Sequence, residues 1–241
     1  MLKFFWNSGI LLAATMAFLF SLDSLVTAKV SETVPIFEYA VAGGVIKWAI
    51  TLVINTASRE SIFGRREDLH LLIPTGFCFG GFLICLYGAL GLLGLVEAVG
   101  LFYMNPVLSA IIGRLAFKDP FGPPSILGLA LVVWGVGLVN GSSFWFALKD
   151  VTWDLERIIG TILGACSALF AAMAFAATRG LGDRVAAGTI STWAFIAQTV
   201  LGIPPMLIGY PSRMVVVSDI FTIAIIVMGS LAACIGEVFV C

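Results

Sequence analysis

The sequence predicts an all-α membrane protein, a polytopic helical bundle of about eight transmembrane helices. Three observations point there. Apolar residues fill 60% of the 241 positions and charged ones only 11%, and the mean hydropathy is +1.08. A soluble domain of this length cannot enclose so much apolar surface. Eight apolar stretches follow one another, each close to the ~20 residues that cross a bilayer as a helix. Short polar or turn segments separate them, and lipid-exposed backbone must satisfy its own hydrogen bonds, which favours helices.

The spans fall at 9–27, 36–56, 71–92, 95–114, 123–141, 158–178, 188–209 and 218–239. The first is longer than a signal-peptide core and has no small-x-small cleavage site after it, so it reads as a mature helix. Lys29 to Glu32 divides it from the second. The polar stretch from Ser58 to Asp68 divides the second from the third. The apolar run over 71–114 is too long for one span, so it is split near Gly94. Lys118-Asp119-Pro120 and Gly122-Pro123-Pro124 open the fifth span, where proline suits a first helical turn. Trp6, Trp145, Trp153 and Tyr210 read as aromatics of the membrane interface.

Lysine and arginine counts set the orientation. With the N-terminus cytoplasmic, the inner segments hold Lys3, Arg59, Arg65, Arg66, Arg114, Lys118, Arg179 and Arg184. The outer ones hold Lys29, Lys149, Arg157 and Arg213. Eight against four favours that arrangement. The net charge of −1 gives no sign of a nucleic-acid partner. Cys78, Cys85, Cys166 and Cys234 lie within spans and read as packing residues, with no disulfide framework.

The chain starts again near residue 158. At an offset of 151, Gly9, Leu12, Ala14 and Ala17 meet Gly160, Leu163, Ala165 and Ala168, and Thr27 meets Thr178. This divides the chain into a first repeat at 8–141 with five spans, a linker loop at 142–157, and a second repeat at 158–241 with three. An odd number of spans inverts the second copy, and inverted repeats are a recurrent plan of secondary transporters. Because the second copy has only three spans, two further helices are expected in the natural full-length protein. A mature eight-span form is the alternative.

Several stretches resemble the EamA-type repeat of the drug/metabolite transporter superfamily, and most of all the G subgroup of solute carrier family 35. They are Ser21-Leu22-Asp23-Ser24-Leu25 with Lys29, Val34-Pro35-Ile36-Phe37-Glu38, Tyr103 with Asn105-Pro106-Val107 and Lys118-Asp119, and Gly135-Val136-Gly137-Leu138. The likeness covers residues 8–141 well and 158–239 loosely. It departs at Gly43-Gly44, where the family often has an arginine soon after the glutamate, and at the absent last two helices. The resemblance implies a carrier of small metabolites.

Lys47 stands out, flanked by Val45, Ile46, Trp48 and Ala49 inside the second span. A mid-bilayer lysine costs ~2.5–3.5 kcal/mol on insertion scales, so such a residue faces a cavity, a partner or a substrate. The competing reading is snorkelling to the inner surface. Asp23 and Glu97 lie toward the outer ends of their spans and are gate or proton-relay candidates, against a plainer reading as interfacial carboxylates that mark helix ends. Tyr103, Asn105 and Pro106 form a polar break, either a kinked substrate-facing wall or a structural kink. Trp193 is a further substrate-binding candidate on the seventh span, with Thr192 and Gln198 beside it. Gly76-x3-Gly80 and Gly160-x3-Gly164 read as close helix packing.

Catalysis finds little support. His70 is the single histidine, and no GxSxG, HExxH or P-loop is present. No metal site and no cofactor is expected. The expected partners are the lipid bilayer and a small-molecule substrate, with a homo-oligomer left open. The leading expectation is a secondary carrier working by alternating access between two bundles. The alternatives are a truncated, non-transporting isoform that associates with other chains and, less favoured, a membrane-embedded enzyme.

Overall fold

The computed structural model describes residues 9–31, 33–118, 122–139, 154–209 and 220–238. Trp6, Trp145, Trp153 and Tyr210, named above as interfacial aromatics, lie outside these residues. The described residues form nine α-helices and no strand. They are α1 (Gly9–Val30), α2 (Ile36–Ser58), α3 (Leu69–Leu93), α4 (Leu95–Phe102), α5 (Asn105–Phe117), α6 (Pro123–Val139), α7 (Leu155–Leu181), α8 (Ala187–Ile208) and α9 (Ile220–Val238). Each of the eight expected spans coincides with one helix, apart from the fourth, which is built from α4 and α5.

Among the described residues, five stretches combine the length and apolarity needed to cross a membrane: Ile36–Ser58, Leu69–Leu93, Leu95–Phe117, Leu155–Leu181 and Ala187–Ile208. The outer surface is apolar, with Phe18, Val53, Leu115, Trp134, Leu138, Leu207 and Ile208 all well exposed. Inside lie Asp23, Lys47, Asn55, Thr192 and Gln198, all buried. This reversal of the soluble pattern is what a lipid solvent demands, since a polar group facing hydrocarbon is costly and one inside the bundle finds partners. The chain is an integral multi-pass membrane protein.

Two sequence boundaries shift. Gly94 ends α3 and caps α4 at φ 85°, a left-handed conformation that glycine adopts without strain. The split expected there is present. The fourth span breaks again at Tyr103-Met104, and Pro106 sits in the first turn of α5, where its missing N–H has no helical partner to lose. Helix α7 begins at Leu155, inside the segment 142–157 expected as a linker, whose residues 142–153 lie outside the described residues.

Helix α3 packs most extensively on α7, and α8 lies across both α2 and α3. Helix α9 rests on α1 and α2, and α7 also receives α4 and α5. Small residues allow the close approaches. A Cβ on Gly80 would overlap the backbone of Ala197 and Gln198, and one on Gly76 would overlap Trp193, so α3 and α8 meet backbone to backbone. Gly160 and Gly164 seat Leu93 and Leu101 in the same way. An aromatic cluster closes the middle. Phe20 stacks on Phe102 at 5.3 Å, Phe82 on Phe102 at 5.7 Å, and Phe79 meets Phe175 edge-on at 5.9 Å.

Candidate functional site

One face of α2 carries the polar interior. Tyr39, Gly43, Lys47, Thr51 and Asn55 follow one another at intervals of four, and all five are buried. At 1.5 Å per residue this stripe runs about 24 Å along the helix, most of the ~30 Å hydrocarbon thickness.

At one end, Asp23 of α1 is 3% exposed. The Tyr39 hydroxyl donates to its Oδ1 at 3.3 Å, and the Tyr87 hydroxyl donates to Oδ2 at 3.3 Å. The two rings meet edge-to-face at 5.9 Å. Gly229 of α9 leaves room for the Tyr39 hydroxyl. Asp23 therefore does not mark a helix end at the water interface, as the plainer sequence reading had it. Three helices enclose it.

Lys47 lies midway along α2 and is 1% exposed, so it does not snorkel. Helical side chains lean toward the N-terminus, and here the Lys47 stem lies along Gly43, its Cε 3.9 Å from where a Cβ would stand. The Nζ lies 5.5 Å from the centroid of the Phe195 ring of α8, a cation–π contact. The stem thus leans toward the Tyr39 end of α2, where Asp23 lies. Beside it, Ser230 of α9 packs on Gly43, and Gln198 Nε2 donates to the Ala40 carbonyl at 2.8 Å. Further along, the Thr51 hydroxyl lies 3.6 Å from Cys234 Sγ. Asn55 Nδ2 donates to Thr192 Oγ1 at 3.1 Å.

The other sequence candidates lie elsewhere. Tyr103 and Pro106 line an apolar groove of about 500 Å³ together with Ser21, Ser24 and Leu25 of α1, Val99 of α4 and Val136 of α6. Asn105 opens α5 beside this groove and is not among its lining residues. Glu97 does not join Asp23. It pairs with Arg157 at 2.8 Å, partly exposed, and so ties α4 to α7. Trp193 turns away from Lys47 toward the loop after α2. It donates from Nε1 to the Phe63 carbonyl at 3.3 Å and meets the Phe63 ring edge-on at 6.1 Å. Among the described residues no cluster of metal-ligating side chains occurs.

Sequence reasoning missed Tyr39, Tyr87, Phe195, Ser230 and Cys234. For Tyr39 a signal existed, the four-residue period of Tyr39, Gly43, Lys47, Thr51 and Asn55 around one intramembrane lysine. For the others none did, because each is brought in by a distant helix.

Helices that hide ionisable side chains while showing lipid an apolar surface define a multi-pass membrane protein with a polar interior. The EamA-like transporter family matches residues 7–141, and the chain belongs to that family. Two relatives are the pseudopaline exporters of Pseudomonas aeruginosa strains UCBPP-PA14 and PAO1. Each is 26% identical over 201 residues, covering 83% of this chain and 66% of the relative. The chain thus spans just under two thirds of the length of these relatives. A crystal structure of another protein shares the fold at a TM-score of 0.67 and 20% identity, over 95% of this chain and 77% of that one.

Proposed function

We propose that the chain belongs to a secondary carrier that moves small metabolites across a membrane by alternating access. The observation that carries this reading is Lys47, a charge enclosed at mid-span in a family of transporters. Burying it costs ~2.5–3.5 kcal/mol, which a purely structural helix has no reason to bear. The two relatives named as exporters support transport over catalysis.

Helix pairings support the inverted-repeat plan. At an offset of five spans, the α3–α7 contact corresponds to α9–α1, and the α8–α3 contact to α2–α9. Helices α2 and α8 cross as counterparts. At the offset of 151 residues, Lys47 corresponds to Gln198 and Asp23 to Ala174. Both charges thus belong to the first copy. In this reading the first repeat holds the binding charge and the second supplies the surface it moves against. Tyr103 and Pro106 form a kinked wall, with the N-terminus cytoplasmic.

Flux into vesicles containing the purified chain tests the reading. Uptake of at least one metabolite above empty vesicles, weakened in Lys47→Ala at unchanged protein content, is the expected result. Normal flux in that variant defeats the role of Lys47, and no flux of any metabolite in the parent chain defeats the carrier itself.

A further inference from the structure

The enclosed cluster around Lys47 is donor-rich. Tyr39 and Tyr87 offer hydroxyls, Lys47 an ammonium and Ser230 a hydroxyl, while the Asp23 carboxylate and Gln198 Oε1 accept. Ser230 Oγ and Gln198 Oε1 have no hydrogen-bond partner among the described residues, although both side chains are enclosed. Buried polar atoms are nearly always paired, so this cluster has hydrogen-bonding capacity beyond its own contacts. With Asp23 and Lys47 both charged, the cluster is neutral. An added anion on Lys47 makes it negative in a low-dielectric interior, where a lone charge is expensive. One proton on Asp23 restores neutrality.

We propose that Lys47 binds the carboxylate of a small organic acid while Asp23 takes up one proton, so that the anion and a proton cross together. This rests on the carrier reading above. The substrate carboxylate accepts charge-assisted hydrogen bonds from the Lys47 ammonium. Asp23, no longer balanced by that ammonium, binds a proton from the water on the open side. On the opposite side the anion leaves, the proton follows, and Asp23 returns to the field of Lys47. No covalent bond changes.

Among the described residues, few groups face this pair. Helix α2 brings Tyr39, α3 brings Tyr87, and α9 brings Cys234, whose Sγ lies 3.9 Å from the Lys47 carbonyl. Helix α8 offers Phe195 and Gln198, neither of which titrates. The carboxylate of α4, Glu97, is engaged by Arg157, and Lys29 on α1 is exposed.

Thermal unfolding of the full chain in detergent tests this, with lactate as the anionic probe and alanine, choline and glycerol as zwitterionic, cationic and neutral controls. It is run at about pH 5.5 and about pH 7.5, both above the ordinary carboxyl range. Lactate alone is expected to stabilise, with an apparent affinity rising as pH falls, by at most about tenfold per pH unit for uptake of one proton. Lys47→Met is expected to lose the response and Lys47→Arg to keep it, and Asp23→Asn to respond equally at both pH values. If Lys47→Met does not fold, Lys47→Arg and Asp23→Asn decide. Equal stabilisation by a control, no response to lactate, or an unchanged pH dependence in Asp23→Asn overturns the proposal. Flux of a neutral or zwitterionic metabolite beside any of those results leaves the carrier reading standing and removes only this one.

Discussion

Two regions border helix α1 and differ in almost every respect. On one face Asp23 turns into the polar seam with Tyr39 and Tyr87, at the end toward which the Lys47 stem leans. On another, Ser21, Ser24 and Leu25 line the apolar groove with Tyr103 and Pro106. The groove has the volume usual for a ligand pocket, while the seam is closed. Volume alone favours the groove as the working site, but electrostatics favours the seam. An apolar groove in a membrane protein needs no explanation beyond contact with lipid, whereas two enclosed ionisable side chains do. In a bilayer, the costly feature is the informative one.

The largest effect is expected where backbone touches backbone behind the seam. Gly80→Leu would drive a side chain into Ala197 and Gln198. Overpacking ordinarily costs ~1–3 kcal/mol, and with backbone as the obstacle the upper end or beyond is expected, read as a sharp loss of monodisperse protein in size-exclusion chromatography. A stable Gly80→Leu chain would mean that α3 and α8 do not meet so closely.

Next comes the seam charge. Lys47→Met is expected to cut flux by at least about tenfold, equivalent to ~1.4 kcal/mol, with the folded yield kept. Vesicle uptake normalised to protein content measures it. The groove should respond far less. Tyr103→Ala changes a partly exposed side chain, and about twofold or less in the same uptake assay is expected, in line with the small effects typical of surface positions. If Tyr103→Ala matched Lys47→Met, the order of the two regions would be reversed. Smallest of all, Glu97→Gln removes a partly exposed ion pair worth ~0–1 kcal/mol, so the unfolding midpoint should barely move.

Much of the fold was legible in the sequence because length and apolarity alone define a span. The breaks at Gly94 and around Tyr103-Pro106 were legible for a local reason, a glycine and a proline in a continuous apolar run. Lys47 was legible from its insertion cost. The site around it was not. Asp23 meets Tyr39 across 16 positions and Tyr87 across 64, and Glu97 finds Arg157 across 60. Such pairings depend on which helix faces which, and hydropathy carries no information about that. The contact of Trp193, a substrate-binding candidate on the seventh span, with the loop after α2 was equally hidden, because its rotation about α8 is set by the seat at Gly76.

The proposed transport cycle requires the seam, closed here, to open to water, and Cys234 reports on it directly. Its side chain is fully enclosed beside Thr51 and the Lys47 carbonyl. With Cys78, Cys85, Cys166 and Cys241 replaced by alanine, a water-soluble maleimide is added to vesicles under transporting and resting conditions. Labelling of Cys234 that rises under transport and is suppressed in Lys47→Met is the result expected. A Cys234 that never labels, while a cysteine placed at Tyr103 labels readily, would move the working site to the groove.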